Sequence, residues 1–130
     1  MNLQDTYPEG SLLFVWNADS GWQQALLGSL HKFLDPETYP CNLCRLTYGA
    51  TAPRTAWREF LAGWGREARF LHRDEFRLLE PAEPWLSLPL PAVLRRHSGT
   101  WYLAVPAHIL SGVDTLDELL KLLKSLPEGE

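Results

Sequence analysis

SLLFVWN (residues 11–17), followed at once by ADSG (18–21), decides the fold. The run is apolar without alternation and partly β-branched and aromatic, which reads as a strand buried on both faces. Asp19 or Ser20 can cap a helix. From Gly21 onward the apolar residues fall at 22, 26, 27, 30, 33 and 34, a helical stripe. Asp35-Pro36 ends it, because proline disfavours helical geometry in the residue before it.

The next stretch, YPCNLCRLTYG (39–49), holds both cysteines of the chain in a C-x-x-C spacing. Pro40 suits a first helical turn and Gly49 a left-handed C-terminal cap, so residues 40–48 read as a short helix. PRTAWREFLAGWG (53–65) reads as a second helix, with Ala56, Trp57, Phe60, Leu61 and Trp64 on one face. EARFLHRDEF (67–76) reads as a strand through about His72, and residues 77–91 as a surface loop. AVLRRHSGTWYLAV (92–105) reads as a hairpin turning at Ser98-Gly99, with Arg95, Arg96 and His97 at its solvated end. In TLDELLKLLKSL, Thr115 and Glu118 have capping-box spacing ahead of a leucine face.

The 130 residues read as a single domain, with 1–10 and 127–130 as loose termini. At this length a chain buries enough surface to need no disulfide staples. A net charge of −4 argues against nucleic-acid and anionic-membrane surfaces, which call for clustered positive charge. No apolar run approaches the roughly 20 residues that span a bilayer. The N-terminus lacks a signal-peptide pattern, so a reducing cytoplasm is expected. Six tryptophans are explained most simply by core and groove packing.

The order is strand, helix, short helix, helix, strand, loop, hairpin, helix. The first two strands, joined by a helical crossover, are expected to be parallel and right-handed. An α/β fold follows: a four-stranded mixed sheet, order 2-1-3-4, with flanking helices. This resembles the thioredoxin/glutaredoxin arrangement. LPLPAVL (88–94) adds to the likeness, because Pro91 stands where thioredoxin-like proteins carry a cis-proline facing the active site. The same resemblance places reactive cysteines at the end of the first strand. Here that position reads Asn17-Ala18-Asp19-Ser20-Gly21 and holds no thiol.

Over nearly its whole length the chain also resembles a family of small uncharacterised bacterial proteins. The shared stretches are NADSG (17–21), HKFLDPETYPCNLCRLTYG (31–49), FLHRDEF (70–76) and LPAVL (90–94). Several of these proteins carry an automatic GTPase label. A P-loop needs G-x-x-x-x-G-K-[ST] to neutralise phosphates, and NADSGW has one glycine and no lysine. An acidic residue at that helix start is expected to occupy the site a phosphate would need.

On a helix, Cys41 and Cys44 share a face. A cysteine in a first helical turn can have its pKa lowered, which makes Cys41 the nucleophile or the better metal ligand and Cys44 the resolving thiol. The alternative is two small buried hydrophobes. Asn17, Asp19, Ser20, His72, Asp74 and Pro91 are candidate binding residues, because the C-terminal ends of adjacent parallel strands are where α/β sheets place ligands. Asp19 is equally a helix cap, Asp74 a strand-end turn residue and His31 a dipole-stabilised helix histidine. The long connection from 35 to 53 has the length to carry the cysteines back over that edge.

Three functions are open. The first is a cytoplasmic thiol–disulfide protein acting on a small-molecule or protein thiol partner. The second is a metal module for zinc or iron, using Cys41 and Cys44 with His31, His72 or a carboxylate. The third is a non-catalytic binding domain. Monomer and homodimer both fit.

Overall fold

A computed structural model describes residues 7–22, 41–49, 52–78 and 87–127. Its elements are β1 (Leu12–Val15), α1 (Asn42–Thr47), α2 (Thr55–Trp64), β2 (Ala68–Leu71), α3 (Arg73–Leu78), β3 (Ala92–His97), β4 (Thr100–Val105), α4 (Ala107–Leu110) and α5 (Leu116–Lys124). The strands form one sheet in the order β2-β1-β3-β4. β1 is parallel to β2 and antiparallel to β3, and β3 and β4 form the hairpin. This is the mixed α/β sheet expected from the element order. The helix expected from residue 22 to 34, and His31 on it, lie outside the described residues.

β1 is covered on both faces, as its unbroken apolar run requires: none of its four residues is more than 1% exposed. Its side chains alternate between two cores. Leu12 and Phe14 enter the larger one, with Leu43, Leu46, Trp57, Leu119 and Leu123 from the helices. Leu13 and Val15 enter the smaller one, with Leu71, Phe76, Leu94 and Trp101. Trp16, Trp22, Trp57 and Trp101 are buried, as the packing explanation of the tryptophans expects, and Trp64 is half-buried against the same core. Trp85 lies outside the described residues. On α2, Ala56 is exposed, so the buried face is narrower than the apolar pattern suggests.

Caps explain the element ends. Gly65 closes α2 in the left-handed region (φ 80°), where glycine has no side-chain penalty. Gly49 does not serve α1 in this way. The helix ends at Tyr48 in extended backbone, and the Gly49 N–H donates to the Ala52 carbonyl (2.8 Å). The hairpin turns on Ser98 (φ 53°) and Gly99 (φ 78°), the double positive φ of a two-residue turn matched to strand twist. At α5 the Thr115 hydroxyl accepts from the Glu118 N–H (3.2 Å), while the Glu118 carboxylate reaches back to the Asp114 N–H (2.9 Å).

Two short helices were not expected. Residues 73–78 form α3, and the strand before it stops at Leu71. Glu75 starts the turn by accepting from the His72 N–H (2.7 Å), half of a capping box. Residues 107–110 form α4 behind Pro106, whose carbonyl accepts from Leu110. Residues 7–10, assigned to a loose terminus above, are tied down. Tyr7 packs edge-on against Trp101, and Glu9 accepts from the Ser98 N–H (2.9 Å) and bonds His97 (2.7 Å). Arg66, between α2 and β2, ties both end segments together by donating to the carbonyls of Gly10, Leu126 and Pro127.

The burial pattern predicts a steep stability gradient. Phe14→Ala should cost about 3–5 kcal/mol in urea unfolding and Thr115→Ala about 1 kcal/mol. Leu78→Ala, at a side chain 85% exposed, should stay within about 0.5 kcal/mol.

Candidate functional site

Cys41 is the N-cap of α1, in extended backbone (φ −158°, ψ 162°), and its sulfur accepts from the Cys44 N–H (3.3 Å). The i, i+3 spacing brings the two sulfurs to 2.6 Å, with both cysteines free. Cys41 is half-buried and Cys44 fully buried among the core side chains. The residues between and after them fix the helix. Asn42 donates to the carbonyls of Leu110 (2.8 Å) and Val113 (2.7 Å), and Arg45 to those of Asp114.

The pair is electrostatically asymmetric. Hydrogen bonding from the Cys44 thiol lowers the Cys41 pKa, against the opposing effect of burial. The N–H groups of Cys44, Asn17 and Leu43 add to the lowering. A six-residue helix has a small macrodipole, so these individual donors carry the effect. Cys44 is pushed far above the ordinary thiol range, first because its proton is held by Cys41 and then by burial. One sulfur is thus prepared to be a thiolate and its neighbour to stay a thiol.

Cys41 packs against the core cluster that holds Trp16, Ala18 and Trp22, which sets it near the C-terminal end of β1, the edge expected from the long connection. Most of the other candidates meet there. Arg73 donates to Asp19 (2.9 Å) and to the Asn17 side chain (3.2 Å), and its own N–H to the Ala18 carbonyl (2.8 Å). Its charge is stabilised first by the Asp19 hydrogen bond, and the charges of Asp74 and Cys41 also act on it. Asp74 accepts from the Ser20 N–H and hydroxyl, both at 3.0 Å. Partial desolvation opposes ionisation of Asp74, yet these bonds and the Glu75 N–H outweigh it and lower its pKa.

The details revise several assignments. The Asp19 carboxylate accepts from Arg73, and the helix it was expected to cap lies outside the described residues beyond Trp22. The carboxylate on the loop N–H groups is Asp74, which sits in the first turn of α3 rather than in a strand-end turn. His72 lies just past β2 with its Nδ1 on Glu75 (3.0 Å). It lines a cavity of about 280 Å³ with Trp16, Tyr48, Trp57 and Phe70, and neither cysteine is in that lining. The Leu90–Pro91 bond is cis. Since Val15 pairs with Ala92, Pro91 lies at the level of Trp16, one residue before Asn17.

Among the described residues no group of three or more His, Cys, Asp or Glu is placed to hold a metal ion. No described helix is long and apolar enough to cross a membrane. Comparisons with protein-family models, with curated proteins and with solved structures return no match to this chain.

Arg73 and Asn42 were missed from sequence. Their partners lie 54–71 residues away, beyond any local spacing rule. The H-x-x-E of His72–Glu75 was the one local signal available.

Two outcomes follow. Alkylation of Cys41 by iodoacetamide should show a pH midpoint below the ordinary thiol value of about 8.5. Cys44→Ala should move that midpoint up, and Cys44→Ser, which keeps a donor, should move it less; an unchanged midpoint contradicts the Cys44 contribution. For Asp74 the folded pKa lies below the unfolded one. Its tie to Ser20 therefore stabilises above the ordinary carboxylate range, near 3.9, and is lost as pH falls through the lowered value. The Asp74→Asn deficit in urea midpoint should be present at neutral pH and shrink in acid.

Proposed function

We propose that this protein is a cytoplasmic thiol–disulfide module of thioredoxin-like fold, with Cys41 attacking and Cys44 resolving. The observation that carries the reading is the 2.6 Å sulfur pair with oppositely shifted acidities. The Cys41 thiolate attacks one sulfur of a partner disulfide, R–S–S–R′, forming a Cys41–S–S–R mixed disulfide and expelling R′S⁻, which takes a proton from water. Cys44 then loses its proton and attacks the Cys41 sulfur, and RS⁻ leaves and is protonated. The dithiol is oxidised by two electrons and one disulfide is reduced to two thiols. Burial still holds the proton on Cys44 in the mixed disulfide, so the second step is the slower one unless the departing thiolate takes that proton. The partner is a small-molecule or protein disulfide.

The metal reading stands second. Tetrahedral zinc takes four ligands, and among the described residues no third His, Cys, Asp or Glu stands with the two sulfurs. A GTPase reading has little support. The loop after β1 has its N–H at Ser20 occupied by the Asp74 carboxylate and carries Asp19 beside it, where a triphosphate would need vacant donors and a lysine.

Equilibration in dithiothreitol redox buffers tests the proposal. The expected product is an internal Cys41–Cys44 disulfide, two hydrogens lighter by mass spectrometry. In a glutathione redox buffer, whose single thiol cannot resolve itself, Cys44→Ala should instead accumulate a glutathione mixed disulfide at Cys41. Protein purified without chelator that holds stoichiometric zinc and never forms the internal bond would transfer the argument to the metal reading.

A further inference from the structure

The cavity of about 280 Å³ that His72 joins is separate from the thiol pair and has its own chemistry. It sits at the C-terminal ends of β1 and β2, the edge where parallel α/β strands present ligands. Its walls are mostly aromatic. Trp16 and Phe70 are stacked (22°, centroids 5.9 Å apart). Trp57 meets Phe70 at 77° and Tyr48 meets Trp16 at 76°. These rings pack on one another, so the surface left to a guest is that of the half-buried Tyr48, Phe70 and Leu61, apolar enough to receive one aromatic ring. Trp16 and Trp57 are 4% and 2% exposed, so the walls are held by the core.

Two cationic or titratable groups line the cavity. Arg58, exposed on α2, has no side-chain hydrogen bond or ion pair with another described residue. His72 has its Nδ1 on the Glu75 carboxylate. That carboxylate makes the His72 side unfavourable for an anion and leaves the guanidinium as the anion partner, with a fork that matches a carboxylate. The volume is at the small end for ligand sites, suited to one or two rings.

We propose that this cavity binds a small planar aromatic carboxylate, with the ring on Tyr48, Phe70 and Leu61 and the carboxylate on Arg58. The proposal does not depend on the dithiol chemistry: the Cys41→Ser/Cys44→Ser double variant should bind as the parent does.

Isothermal titration of the full chain with 2-naphthoate and its neutral analogue 2-naphthamide tests it. The expected result is saturable one-to-one binding of 2-naphthoate, with the amide weaker by about tenfold or more, as loss of a charge-assisted hydrogen bond dictates. Arg58→Gln should bring the two ligands to equal, weak affinity, and this exposed substitution leaves the core untouched. Leu61→Trp, which fills the cavity, should abolish both while retaining the parent's circular dichroism. The proposal is overturned if neither compound binds at millimolar concentration, if both bind equally to the parent, if Arg58→Gln keeps the preference, or if folded Leu61→Trp still binds.

Discussion

Burial of β1 on both faces is the constraint on which the rest depends. A strand whose four side chains are all buried needs two covering layers and two hydrogen-bonded neighbours. β2 and β3 supply the neighbours. The helices α1, α2 and α5 supply one layer, and α3 with the segment before β3 supplies the other. Once β1 is fixed, the backbone just past Val15 is fixed too. Trp16 bonds through its N–H to the Leu71 carbonyl (2.9 Å), and Ala18 accepts from Arg73. The residues that follow the strand are therefore held in place by the core itself.

That rigidity gives the displaced C-x-x-C its setting. The cysteines are not on the loop after β1, yet α1 brings Cys41 against the core cluster that includes Trp16, Ala18 and Trp22. The thiols come from one connection, while the polar network around them comes from the β1 and β2 ends. α1 is itself short, and it is held by the bonds of Asn42 and Arg45 to the 110–114 segment rather than by its own length. A neighbouring aromatic cavity includes Trp16 and Tyr48, which also pack with the core around the cysteine pair.

Much of the fold was legible because its signals are local. An unbroken apolar run marks β1, Ser98-Gly99 marks the hairpin, and Thr115 with Glu118 marks α5. The sheet order followed from connection rules; the cysteine helix was expected over 40–48 and runs over Asn42–Thr47, with Cys41 as its cap and Pro40 outside the described residues. What was illegible is long-range or very short. α3 has six residues, four of them charged, and no full apolar face to read. The Arg73 ties to Asn17 and Asp19 join residues 54–56 apart, and nothing in either loop names the other. Gly49 looked like a left-handed cap, but its N–H is used by a local turn to Ala52 and the need for positive φ disappears. The candidate site was legible as an edge and a residue set. The guanidinium that binds its loops together, and the division between a dithiol cluster and a His72 cavity, required coordinates.

The central claim is that two adjacent sulfurs have opposite acidities, one prepared to react and one prepared to wait. Carbon-13 NMR of the reduced protein, labelled at the cysteine Cβ positions and titrated with pH, measures this directly. The account predicts that the Cys41 resonance titrates below the ordinary thiol range, while Cys44 remains a thiol well into alkaline solution. Two resonances that titrate together near the free-cysteine value would contradict it.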